Sequence, residues 1–226
     1  MSDAPYRRDH HAVVFSVQVG LIAPLGPEYV PSGFVKSPLA GPVTVTPLGL
    51  AGDAQADLSV HGGPEKAVYG YGLAAYGLWR QAFPEHASLL QPGGFGENLT
   101  IDGPSEETIC LGDVVHVGSA TLQVCQPRQP CFKLALRFND KRMPKAMIRN
   151  GRSGWYYRVL AEGTLAAGDD VRLLERPNPG WPLTRFNAWL AAKTWNAEEA
   201  EELATLPGLA TQWQHAAREA GRRSQS

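Results

Sequence analysis

Cys131 sits in the segment Gln126-Pro127-Arg128-Gln129-Pro130-Cys131-Phe132-Lys133-Leu134, behind two prolines and between two cations. The thiolate is the reactive, metal-ligating form of cysteine, and a neighbouring Arg or Lys favours it by stabilising the charge. Arg128 and Lys133 are spaced to do this. Pro127 and Pro130 fix φ and withhold amide donors, so the stretch reads as a rigid loop leaving a strand. A thiol presented in this way suits a metal ligand or a nucleophile. A buried cysteine acting as a small hydrophobe is the alternative that the residues leave open.

The other thiols read differently. Cys110 lies in the apolar run Thr108-Ile109-Cys110-Leu111, and Cys125 ends an alternating strand. Three cysteines without a CxxC pair do not make a structural zinc site, which needs four ligands at tight spacing. The odd count points to reduced thiols in a reducing compartment, although a Cys125 to Cys131 disulfide is possible on paper.

Two glycine-rich loops could hold an anion: Val60-His61-Gly62-Gly63-Pro64-Glu65-Lys66 and Pro92-Gly93-Gly94-Phe95-Gly96-Glu97-Asn98-Leu99. Successive glycines let backbone amides converge, and Lys66 adds a point charge; each loop can equally be a plain turn. Neither matches GxGxxG or a Walker A pattern. His61 is a candidate ligand, proton donor or turn residue. Asn98 offers donors and acceptors for a fused heterocycle, or is a turn amide before a strand. Lys36, with Ser32 and Ser37, forms a further loop able to reach a phosphate. Glu97 is a candidate acid or base, with a solvated carboxylate as its default.

These loops must be positioned by strands. From His11 to Ala23 the residues alternate, placing Val13, Phe15, Val17 and Val19 on one face. Strand patterns recur at Pro42 to Thr46, Ala67 to Tyr71, Leu99 to Ile101, Trp155 to Leu160 and Asp170 to Leu174. A tight hairpin turns at Gly118-Ser119. Short helices are expected at Leu73 to Phe83, Lys133 to Phe138 and Met143 to Asn150. After Arg176-Pro177-Asn178-Pro179-Gly180 the period becomes helical. Thr184 is placed to cap a helix burying Phe186, Trp189 and Leu190, and Asn196 to cap Ala197 to Thr205. A last stripe carries Leu209, Trp213, Ala216, Ala217 and Ala220. The 24 glycines and 18 prolines fit a turn-rich barrel or sandwich rather than a βαβ repeat. A net charge of -1 gives no footprint for nucleic acid, and no apolar run approaches the ~20 residues that cross a bilayer. A soluble, cytoplasmic protein is expected.

Five ordered motifs carry a more specific signal. Leu48-Gly49-Leu50-Ala51-Gly52-Asp53, His61 to Ala67, Gly94 to Leu99, Leu111-Gly112-Asp113 and the Cys131 segment together resemble the MOSC family, named for the molybdenum cofactor sulfurase C-terminal domain, and its YiiM-like subgroup. The resemblance implies a mainly β fold: a MOSC-type β-barrel with short peripheral helices over 11–176, and a small C-terminal three-helix subdomain over 179–226. It implies a molybdenum cofactor, with Cys131 as metal ligand and catalytic residue. The cofactor's phosphate and pterin would lie among Lys36, Gly62, Gly63, Lys66 and Arg128, with His61 and Asn98 beside them. Pyridoxal phosphate binding is a further family-level association. The implied reaction removes oxygen from N-hydroxylated compounds such as hydroxylaminopurine base analogues: R-NHOH plus two electrons and two protons gives R-NH2 and water. The chain has no flavin, haem or iron-sulfur motif, so a separate flavoprotein or ferredoxin-type reductase would supply the electrons. A carrier passing on sulfur or the cofactor through Cys131 is the competing reading, and the oligomeric state is open.

Overall fold

The alternation at the start of the chain forms β1 (Val13–Val19), but its phase changes inside the strand. A bulge between Val14 and Ser16 shifts the register against the neighbouring strand. Val14 and Val17 therefore face the core, and Phe15 is exposed, against the single face expected from the sequence. The structure is a computed structural model, described here for residues 12–57, 62–192 and 194–224.

A small hairpin follows, of β2 (Ala23–Leu25) and β3 (Val30–Ser32), then β4 (Ser37–Pro38), β5 (Val43–Thr46) and β6 (Gly49–Leu50). Next come β7 (Val68–Gly72), helix α1 (Ala75–Ala82) and β8 (Leu99–Asp102). The predicted hairpin is β9 (Val114–Val117) and β10 (Ala120–Pro127), with Val117 opposite Ala120 across Gly118-Ser119. After α2 (Phe132–Phe138) and α3 (Arg142–Asn150), strands β11 (Trp155–Ala161), β12 (Gly163–Leu165) and β13 (Val171–Glu175) complete the sheets. The chain ends in α4 (Leu183–Ala191), α5 (Ala197–Ala204) and α6 (Thr211–Arg223).

Eight strands form one sheet in the order β13-β9-β10-β11-β7-β8-β1-β4, antiparallel except where β7 runs parallel to β8. A second sheet, β12-β5-β6, draws in the segment between β11 and β13. The ladder is open, with β13 and β4 at its edges. Residues at the start of β1 meet the approach to β13 through the bridge Val13 to Asp170 and three backbone hydrogen bonds: the Val14 amide to Asp169 O at 2.9 Å, the Gly168 amide to Val14 O at 2.8 Å and the Val171 amide to Ala12 O at 2.7 Å. The eight-stranded sheet is thus mixed and curled, its β1 hydrogen-bonded to the segment that leads into β13. Helix and strand claim equal shares, 29% each, because three peripheral helices and three terminal ones offset thirteen short strands.

Strand β7 is buried along its whole length and divides two cores. Val68 joins a cluster with Val14, Leu99, Val124 and Trp155; Tyr69 and Tyr71 join a second with Trp79, Phe95 and Phe138. Gly70 is needed between them, because a Cβ there would lie 2.8 Å from the Trp155 indole. The terminal helices have no separate core: Trp181, Phe186, Leu203 and Ala217 belong to the first cluster. Asn196 caps α5 as expected, its Oδ1 accepting from the Glu198 and Glu199 amides at 2.7 and 3.3 Å. Thr184 does not cap α4. That helix starts earlier, behind Pro182, and leaves Thr184 exposed within the first turn.

The junction rests on buried Asn178, whose Nδ2 donates to Leu111 O at 2.8 Å and Pro207 O at 2.9 Å. Asn178→Ala leaves two carbonyls without that donor, so urea unfolding should show a loss of about 1–3 kcal/mol with the m-value unchanged.

Candidate functional site

Cys131 is the residue before α2, in extended backbone, and its side chain is half-buried. Strand β10 delivers Pro127, and the Arg128 amide then donates to Gly154 O at 3.1 Å, which fixes the exit of the loop. The thiol opens on a cleft of about 90 Å³, walled by loops 32–36 and 53–56, the Gly62 to Lys66 turn, residues 95–98 and Tyr156 of β11. Four cations line it: Lys36, Lys66, Arg128 and Lys133.

Arg128 is 4% exposed. Its guanidinium lies 5.6 Å from the Phe34 ring centroid and 5.3 Å from that of Tyr69. Burial works against its charge, but the phenols of Tyr69 and Tyr156 and the Cys131 sulfur outweigh that and hold its pKa above the usual value. Burial raises the pKa of Tyr156, with the Arg128 cation opposing, so this phenol stays protonated beside the thiol. Lys133, two residues into the helical segment, donates to Pro31 O at 3.1 Å and so ties α2 to the β2–β3 hairpin.

Lys36 is paired with Asp53, and both side chains are almost fully buried. Burial lowers the Lys36 pKa, with Asp53 opposing the shift. Asp53 is itself held by the Gly20 amide at 2.8 Å and by Asn98 Nδ2 at 2.9 Å, while Asn98 Oδ1 accepts from the Tyr69 amide at 3.0 Å. The backbone packs tightly here. A Cβ at Gly33 would sit 1.8 Å from Ala54 O, so only glycine lets the two wall loops meet.

Of the residues singled out from the sequence, Cys131, Lys36, Gly62, Lys66, Asn98 and Arg128 line the cleft. Gly63 does not. At φ 81° it starts the short turn Pro64–Lys66 that presents Lys66. His61 lies outside the described residues. Glu97 is no solvated carboxylate: it is fully buried, accepting from Tyr76 Oη at 2.5 Å, the Gly93 amide at 2.7 Å and Thr100 Oγ1 at 2.8 Å. Asp53, Tyr69 and Tyr156 were not singled out. Asp53 closes one of the five motifs, and Tyr156 left a signal too, since in Trp155-Tyr156-Tyr157 the middle residue must face away from the other two, which enter the main core.

None of the three cysteines is in a disulfide. Burial pushes the Cys110 thiol up to about 11 and the Cys125 thiol up to about 12, and Cys125 Sγ lies 3.0 Å from Glu65 O. Among the described residues one other group has metal-ligand spacing, Glu85, His86 and Asp140. There Arg142 Nη2 reaches both carboxylates at 2.6 Å, so an arginine already supplies the positive charge.

A family model described as MOSC domain matches residues 57–172. The chain belongs to the MOSC domain family. Protein YiiM of Escherichia coli K12 is 41% identical over 150 residues, covering 66% of this chain and 67% of that protein. A protein of Gibberella moniliformis named "Reductase" is 38% identical over 198 residues, 86% of this chain, yet this chain spans 35% of that longer protein. The crystal structure of YiiM from Geobacillus stearothermophilus superposes with a TM-score of 0.79 at 30% identity, covering 93% of this chain and 99% of that one. The chain is therefore a YiiM-like MOSC protein. The family is associated with the molybdenum cofactor, and a half-exposed thiol amid four cations fits a thiolate-ligated group that carries a phosphate.

The raised thiols give a pH test. Between pH 9 and about 12 an unfolded Cys125 loses its proton while the folded one keeps it, so this stabilisation is complete below pH 9 and is lost as the pH rises. Cys125→Ser retains a hydroxyl donor towards Glu65 O and does not titrate there. The fall of unfolding free energy above pH 9 should be shallower in the variant, by at most about 1.4 kcal/mol per pH unit.

Proposed function

We propose that this MOSC protein is a molybdenum-cofactor-dependent reductase of N-hydroxylated compounds, converting hydroxylaminopurine-type bases and amidoxime-like substrates to amines. The observation that carries the reading is the Cys131 thiol, half-exposed at the wall of a cleft with four cations. The name of the longer fungal relative supports a reductase. Bound at this site, the cofactor supplies two-electron redox chemistry and metal affinity for oxygen.

The protein's own residues do the rest. Cys131 ligates the metal, while Lys66 and Lys133 give the phosphate its counter-charge. Lys36, held against Asp53, builds the wall more than it reaches a ligand. Phe34 and Tyr69 keep the Arg128 cation beside the sulfur. Releasing water from R-NHOH requires a proton at the departing hydroxyl, and Tyr156 is the neutral acid at the cleft; Glu97 is buried elsewhere. Electrons come from a separate flavoprotein or ferredoxin-type reductase.

Protein prepared anaerobically should contain molybdenum by elemental analysis and reduce 6-N-hydroxylaminopurine when given a reductant. Cys131→Ala should lose both; full activity in that variant would sink the reading. A native mass increase of sulfur alone, without turnover, would favour the carrier instead. Tyr156→Phe should keep its molybdenum and lose on the order of 10²-fold in kcat, an outcome that separates proton delivery from metal binding.

A further inference from the structure

Arg128 also lines a second cleft, with apolar Pro130, Met147, Ile148 and Leu190 and polar Ser153 and Asn187. Cys131 is not part of it. This cleft joins the cysteine loop and α3 to α4, the first of the terminal helices. Its volume of about 220 Å³ exceeds that of an engineered apolar cavity of about 150 Å³ that takes up benzene. One ring, or two fused rings, would fit.

The polar groups say which kind of ring. Among the described residues no carboxylate pairs with the buried Arg128: its guanidinium hydrogen-bonds the Tyr156 phenol on the side of the first cleft, while on this side its Nη1 has only Met147 Sδ, at 3.2 Å. A thioether is a weak acceptor for a guanidinium out of water. Ser153, also buried, makes only a long 3.4 Å contact from Oγ to Gly154 O. No Asp or Glu lines the cleft to repel an anion.

We propose that this cleft binds a small aromatic or heteroaromatic carboxylate, its oxygens on Arg128 Nη1 and the Ser153 hydroxyl and its ring between Met147 and Leu190. The site shares Arg128 with the cleft of the reductase reading, but its ligand touches neither Cys131 nor the lysines, so the two can be tested apart.

The test titrates the purified full-length chain with benzoate, quinoline-2-carboxylate and neutral benzamide, using calorimetry or ligand-observed NMR. Both carboxylates should bind at least about tenfold more tightly than benzamide. Ala191→Trp, at an exposed residue of the same cleft, and Leu190→Trp should each weaken benzoate by about tenfold or more. Lys66→Ala should leave it unchanged. Equal binding of benzoate and benzamide, or none at millimolar concentration, would overturn the proposal. So would benzoate binding that survives Ala191→Trp and vanishes in Lys66→Ala, because it would place the acid beside Cys131.

Discussion

A guanidinium withdrawn from water with no carboxylate beside it among the described residues is the constraint around which this molecule is arranged. Desolvating such an ion costs several kcal/mol, and each aromatic face returns about 2 kcal/mol when dry. Phe34 and Tyr69 therefore offset part of the cost of burying Arg128 and leave a demand for negative charge. The groups nearest that demand are a thiol and a phenol, Cys131 and Tyr156, both of which can carry charge or a proton. Placing the cation in a rigid loop, rather than on a mobile side chain at the surface, makes the field at the sulfur a fixed property of the fold.

That field is fixed only if the walls are. The Lys36–Asp53 pair, with Asn98 and the Gly20 amide, knots the loops after β3 and β6 to the start of β8. Such a pair adds little net stability once desolvation is counted, but breaking it would strand a buried charge, so it specifies geometry more than it adds energy. The terminal helices reach the same region from behind. Glu65, next to Lys66, accepts from the Thr211 amide and from Arg158, linking the turn that presents Lys66 to the first turn of α6. Helices that share the main core and grip a cleft turn are part of the site's scaffold.

Much of this was legible in the residues. The Cys131 loop, the two-residue hairpin, the Asn196 cap and the helical change of period after Pro179 each follow from local chemistry that the fold does not override. What failed was non-local. The face of β1 was misread because a bulge reverses its phase, and bulges depend on the partner strand. Glu97 looked solvated although three of its donors, Gly93, Phe95 and Thr100, lie within four residues of it; the fourth, Tyr76 of α1, comes from a distance, and only the tertiary fold buries the whole turn. Asp53 and Lys36 are seventeen residues apart with no periodic relation, so their pairing had no sequence signal.

The three thiols show how burial assigns chemistry to identical groups. Cys110 and Cys125 are held neutral by their apolar surroundings, with pKa values of about 11 and 12, and neither is a nucleophile or metal ligand near pH 7. Cys131 differs in position, not in type. Pro127 ends β10 and Pro130 precedes the sulfur, where the chain turns outward, and the next residue, Phe132, is 60% exposed. Six positions back, Cys125 lies on the strand in the dry interior; leaving β10 at Pro127 with φ fixed at Pro127 and Pro130 is what converts a core-type residue into one that faces a ligand.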